Sequence, residues 1–186
     1  MRTPALLLVD VIKALFDPAG IWWYPAVADV TGPIEKLLAA ARANDRLVVH
    51  AALWRRPGVR DPILDRAGQG TREFSELDGE PAEGFEPDGT RPAEIHLPKR
   101  RYSAFFATDL DVLLREHRVD TLVIAGVKTN VCVRATIQDA VAHGYQVVVP
   151  REATNSNRPH LAAATLEDIE HYFGEVVSLD EALRRL

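Results

Sequence analysis

The chain has 186 residues, 47% of them hydrophobic, and a formal net charge of −5 at pH 7. That length and apolar content suit one domain, residues 1–186, with a sizeable core; the acidic balance without a long basic block excludes nucleic acid as the main partner. A single cysteine, Cys132, leaves no intrachain disulfide framework and fits a reducing compartment. Leu6-Leu-Leu-Val9 is far too short for a signal-peptide core or a membrane span, so the expectation is a soluble, cytoplasmic protein with no membrane partner.

In chain order, Ala5 to Val9 is a short apolar run that reads as a central strand, and Asp10 follows it. A carboxylate at the C-terminal end of a buried strand stands where open α/β sheets place their sites; the alternative is an ordinary turn former. A loop from Phe16 to Pro25 gathers four aromatics, which either wall a pocket, meet another subunit or pack into the core. Thr31 or a neighbour opens a helix through Ile34, Leu37, Leu38 and Ala41 that ends near Asn44. Leu47 to Ala51 is the second strand. His50 lies near its end, with no Asp-x-His pattern after it, and reads as structural or pocket-adjacent rather than as a metal ligand.

Residues 55–94 are the least regular part, with Pro57-Gly58, Asp78-Gly79, Glu83-Gly84 and Asp88-Gly89 as turn signals. A stretch this long serves function or assembly, or is partly disordered. Glu94 to Pro98 is a strand candidate running into Lys99-Arg-Arg101, a cation cluster that reads as a solvated face; Arg101 pairing with a substrate carboxylate is the alternative. Thr108 with Asp111 predicts a capping box for a helix through Leu110, Leu113 and Leu114. Thr121 to Ala125 and Gln146 to Pro150 are further strands. A helix spans Pro159 to Phe173, Val176-Val177 is a last strand, and Ser178 with Glu181 caps a terminal helix. Strands alternating with helices predict a parallel sheet covered on both faces.

The stretch from Leu122 to Thr136 carries the chemistry. Its aliphatic run stops at Gly126, and a short connector leads to a helix with Val131, Ala135, Ala140 and Val141 on one face. Asn130 is the expected N-cap, which puts Cys132 in the first turn. Free backbone N–H groups and the positive end of the dipole there favour a thiolate of depressed pKa. The other reading is a small buried hydrophobe. Asp10, Lys99 and Cys132 thus stand at the ends of three candidate strands. An aspartate alone would raise the thiol pKa, whereas a lysine beside both reverses that penalty, so the three together make sense as base, cation and nucleophile.

Leu6-Leu-Leu-Val-Asp10, Lys99-Arg-Arg-Tyr-Ser-Ala-Phe-Phe-Ala-Thr108 and Gly126-Val-Lys-Thr-Asn-Val-Cys-Val-Arg-Ala-Thr136 resemble, in order, the motifs of the isochorismatase-like cysteine hydrolases. That superfamily includes nicotinamidases, N-carbamoylsarcosine amidohydrolase, biuret hydrolase and ureidoacrylate hydrolase. The resemblance covers nearly the whole chain and implies a three-layer α/β/α fold with a six-stranded parallel sheet. It implies Asp10, Lys99 and Cys132 as a catalytic triad that hydrolyses a C–N bond of a small amide or ureide through a thioester. It further implies a cis peptide at Val127–Lys128, an oxyanion hole from the backbone N–H groups of Lys128 and Cys132, and a homo-oligomer (dimer or tetramer).

Departures from the motifs narrow these expectations. Asp10 is followed by Val11 and Ile12, where many relatives have Asp-x-Gln. The nicotinamidase Asp-x-His zinc motif has no counterpart, so neither metal nor cofactor is expected and nicotinamide is demoted as substrate. Cys132 favours amide chemistry over the vinyl ether cleavage of isochorismatases proper; a non-catalytic metabolite-binding relative is the other class kept open. Phe16, Trp54 and Phe105 are the candidate pocket wall, with core packing as the alternative.

Overall fold

The computed structural model describes residues 3–56, 58, 61 and 74–186. Seven strands form one sheet: β1 Pro4–Val9, β2 Val48–Leu53, β3 Glu94–Lys99, β4 Thr121–Val127, β5 Gln146–Pro150, β6 Thr154–Asn155 and β7 Glu175–Val177. Their order is β3-β2-β1-β4-β5-β7, every pairing is parallel, and β6 pairs with the end of β4. Six strands match the expectation. β6 is the addition, and its two residues are too short to show any periodicity in the sequence.

β1 is buried at all six positions, as a strand covered on both faces must be. Its alternation divides the core. Leu6 and Leu8 pack with Ile34, Leu37 and Leu38 of helix α2 (Ala28–Ala43), while Leu7 and Val9 face the opposite cluster. That second cluster draws on helices α3 (Leu110–Glu116), α4 (Arg134–Ala142) and α5 (Pro159–Tyr172) through Leu114, Ile137 and Ile169. A helical turn α1 (Lys13–Phe16) and the last helix α6 (Leu179–Arg185) complete the α2 side.

Helix starts differ from expectation for local reasons. α2 begins at Ala28, three residues before Thr31, because the 3-10 turn Pro25–Val27 leads straight into it and Pro33 is carried inside the helix. Proline is at home in a first turn, so in sequence Pro33 draws the apparent start towards itself. The Thr108 capping box does not form, because the N-cap of α3 is Asp109, with no side-chain cap. Thr108 Oγ1 accepts from Leu110 N at 3.3 Å, whereas Asp111 turns outward to Arg115 (3.0 Å) and the Tyr145 hydroxyl (2.8 Å). Ser178 does cap α6, accepting from Glu181 N at 3.3 Å.

The described part of the 55–94 region folds back on the start of the chain. Lys13 N donates to Glu80 O at 2.9 Å, Ala82 N to Val11 O at 3.1 Å, and Ile12 bridges to Pro81. Pro57 lies outside the described residues. Among the described residues, no helix is long and apolar enough to cross a membrane.

Candidate active site

In sheets of this kind the strand order reverses at one point, here between β1 and β4, and a crevice opens above the strand ends. Asp10 is the first residue past β1, and Lys99 is the last residue of β3, two strands away. The lysine stem spans the end of β2, so Lys99 Nζ reaches Asp10 Oδ2 at 2.8 Å and also donates to Arg101 O at 3.2 Å. The other carboxylate oxygen, Oδ1, accepts from Leu53 N at 2.9 Å. Lys99 is 0% exposed and Asp10 1%, so the pair is dry. Asp10 holds a left-handed φ of 54°, which aspartate tolerates better than most residues.

Cys132 arrives from β4. Gly126 has a φ of 117°, and a Cβ there would stand 2.1 Å from Val9 O, so only glycine lets β1 and β4 close at this level. The Val127–Lys128 bond is cis. Thr129–Val133 then forms a wide π-helical turn in which Lys128 O accepts from both Val131 N (3.0 Å) and Val133 N (3.3 Å). Thr129 Oγ1 lies 2.8 Å from Thr154 Oγ1, tying this turn to β6. Cys132 therefore lies inside a π turn ahead of α4, and Asn130 is not the N-cap that the sequence suggested. Such turns have no signature in the apolar periodicity.

Burial pushes the Cys132 thiol well above the usual thiol range; the Asp10 charge adds to the rise and Lys99 opposes it. The depressed thiol expected from a helix N-terminus is thus overturned by desolvation. For Lys99, burial favours the neutral amine, but the Asp10 charge and hydrogen bond, with Cys132 adding to them, outweigh it and hold the ammonium above its ordinary range. The resting state that follows is a carboxylate–ammonium pair beside a protonated thiol.

A cavity of about 270 Å³ opens over these groups. Asp10 and Cys132 line it together with Lys128, and Trp22, Tyr102, Asn130 and Arg158 supply much of the remaining wall. The candidate wall residues of the sequence reading lie elsewhere. Phe16 lines a separate cleft beside Lys13 and Phe85, its ring 6.1 Å from that of Phe85. Phe105 is buried between His143 (5.0 Å) and Tyr145 (5.9 Å), and Trp54 is 36% exposed and absent from the described lining. Phe16 and Phe105 each stand six positions from a site residue, Asp10 and Lys99, and sequence distance carries no direction.

Trp22 could have been singled out from the aromatic loop; Arg158 gave no signal beyond its charge. Arg101 pairs with Asp61 at 2.9 Å. His50 is buried on Glu94 at 2.8 Å, and Arg42 grips the same carboxylate at 2.7 Å. Among the described residues no group of three or more His, Cys, Asp or Glu is placed to hold a metal.

The isochorismatase domain model matches residues 4–181. The chain is 34% identical over 190 residues to maleamate amidohydrolase of Pseudomonas putida, covering 100% of this chain and 87% of that one. It is 30% identical over 194 residues to N-carbamoylsarcosine amidase of an Arthrobacter species, covering 98% and 71%. A cysteine hydrolase from Pseudomonas syringae pv. phaseolicola superimposes with a TM-score of 0.86 at 30% identity, over 98% of this chain and 92% of that one. The chain belongs to the isochorismatase family and is a hydrolase of that family.

Proposed function

We propose that the protein is an amidohydrolase that cleaves the C–N bond of a small amide or ureide, with Cys132 as nucleophile. The observation that carries this reading is that Asp10, held by the buried Lys99, and Cys132 line one small cavity together. The curated relatives, a maleamate amidohydrolase and an N-carbamoylsarcosine amidase, support the C–N bond as the target. A cavity near the low end of the ligand-pocket range, about 300 Å³, limits the substrate to a small molecule.

The steps follow from where the charges stand. As Sγ bonds to the scissile carbonyl carbon, its proton passes to the Asp10 carboxylate. Negative charge gathers on the carbonyl oxygen, which the Lys128 and Cys132 backbone N–H groups take up. Asp10 returns the proton to the leaving nitrogen, the C–N bond breaks, and an amine or ammonia departs. The acyl group stays on sulfur as a thioester, or a thiocarbamate where the substrate is a ureide. Water then attacks with Asp10 again as base, the C–S bond breaks and the thiol regains its proton. Lys99, 2.8 Å from Asp10 Oδ2, orients the carboxyl group for both transfers.

The test is ammonia release from a panel of N-carbamoyl amino acids, biuret, ureidoacrylate, maleamate and nicotinamide. Turnover of a panel member that disappears in Cys132→Ala and falls by about 10²–10⁴ in Asp10→Asn is the expected result. Turnover that survives Cys132→Ala would refute the nucleophile; a full panel without turnover would refute the substrate class.

A further inference from the structure

The turn that carries Cys132 skips one backbone bond. Lys128 O accepts from Val131 N at 3.0 Å and from Val133 N at 3.3 Å, and not from Cys132 N, the partner an α turn would use. Arg134 N repeats the wide step by donating to Thr129 O. Such a turn holds one residue more than the α register needs, and left to itself a helix favours the α bond. The turn stays wide where something outside the helix holds it.

That hold is a contact between two hydroxyls. Thr129 opens the turn and is 0% exposed; Thr154 of β6 is 4% exposed. Their Oγ1 atoms lie 2.8 Å apart, and either can donate. Among the described residues neither hydroxyl has another partner, so parting them would strand both away from water. The anchor is itself fixed. Thr154 pairs with Gly126 and Asn155 with Val127, Asn155 Oδ1 accepts from the Tyr24 hydroxyl at 2.7 Å, and Asn155 Nδ2 donates to Ala26 O.

We propose that the Thr129–Thr154 hydroxyl pair keeps the turn in its wide register, so that the Cys132 N–H is kept for the substrate oxygen instead of closing on Lys128 O. Both threonines are then positioning residues: they touch no substrate and act through one backbone N–H. This rests on the reading above in which that N–H takes up the oxyanion. An N–H already bonded to a carbonyl is a poor oxyanion donor, and the oxyanion exists only in the transition state. Loss of the pair should therefore lower kcat and leave KM nearly unmoved.

The chain has one cysteine, so labelling cysteine alone with a heavy nitrogen isotope gives a single backbone amide signal, that of Cys132. Its hydrogen exchange is compared in wild type, Thr129→Val, Thr154→Val, the double valine variant and Thr129→Ser. Valine keeps the shape of threonine, and serine keeps the hydroxyl. Exchange should slow by about tenfold or more in every valine form, as the N–H closes on Lys128 O, and stay within about threefold of wild type in Thr129→Ser. With a substrate from the panel, kcat should fall by about tenfold or more in the valine forms while KM stays within about threefold. Should a single valine variant fail to fold because it strands a hydroxyl, the double variant strands none and carries the test. Unchanged or faster exchange in the valine forms would overturn the proposal. So would a double variant that matches wild type, since shape alone would then hold the turn, or slowed exchange with kcat unchanged. Exchange needs no turnover, so a failed hydrolase reading and a failed hydroxyl hold give different results.

Discussion

Replacing Lys99 by methionine keeps the length of the stem and removes its charge. The perturbation strands Asp10, which is 1% exposed, without the ammonium that lies 2.8 Å away. Removing one partner of a buried pair costs about 3–5 kcal/mol, mainly as the penalty of the charge left behind. Asp10 keeps the Leu53 N–H at 2.9 Å, which places the expected loss near the lower end, about 3 kcal/mol. The second half of the test neutralises the stranded group. Asp10→Asn can hold the φ of 54° and still accept from Leu53. The Lys99→Met/Asp10→Asn double variant should therefore return to within about 1.5 kcal/mol of wild type, less destabilised than Lys99→Met alone. Urea unfolding at neutral pH, with the slope of the transition compared between variants, measures both. A loss below about 1 kcal/mol in the single variant, or a double variant no more stable than it, would refute the charge-pair account.

Gly126→Ala should destabilise the fold by about 3 kcal/mol or more, because its Cβ would meet Val9 O at 2.1 Å and its φ of 117° is hostile to any side chain. Gly84→Ala is the matched control: its φ is 83° but nothing lies within 4 Å, so only the backbone cost of about 1–2 kcal/mol applies. Equal losses in thermal unfolding would show that the β1–β4 approach does not decide the matter. His50 gives a pH signature. Burial holds it below its ordinary 6.5, although its hydrogen bond to Glu94 pulls the other way. The unfolded chain then takes up the proton first, so this stability is present above about pH 6.5 and is lost as pH falls below it. His50→Asn should flatten that part of the stability profile in urea melts; an unchanged slope would locate the proton uptake elsewhere.

Legibility in the sequence followed the strength of the local signal. The strands at Ala5 to Val9 and Leu122 to Ala125 are runs of aliphatic residues, and they are strands in the structure because such runs can be buried on both faces. The three residues gathered at the strand ends were readable because parallel sheets put their chemistry there. The sequence-derived pocket wall was not. Phe16, Trp54 and Phe105 have the chemistry of a pocket wall, but nothing in the sequence gives the direction in which each side chain faces. The π turn and β6 escaped for the opposite reason: Thr129–Val133 and Thr154–Asn155 are fixed by the contact of Thr129 with Thr154, twenty-five positions apart. No local pattern encodes that meeting.

The resting proton on Cys132 is the point at which burial and helix position disagree, and it has a kinetic consequence. A carboxylate, an ammonium and a neutral thiol sum to zero charge in a dry site, whereas a resting thiolate would leave an unbalanced negative charge there at high cost. The sulfur becomes a nucleophile only when its charge has somewhere to go. In the proposed mechanism it goes to the oxyanion of a carbonyl substrate as the C–S bond forms and Asp10 takes the proton. A simple alkylating agent such as iodoacetamide provides no such route in its own displacement step, so it must wait for the rare thiolate. Cys132 should then alkylate slowly at neutral pH and faster at each step upward to the alkaline limit of the fold. Lys99→Met should slow the reaction further, because it removes the group that lowers the thiol pKa. A rate already at its plateau at neutral pH would mean that the thiolate is the resting form, and desolvation would have lost to the helix terminus after all.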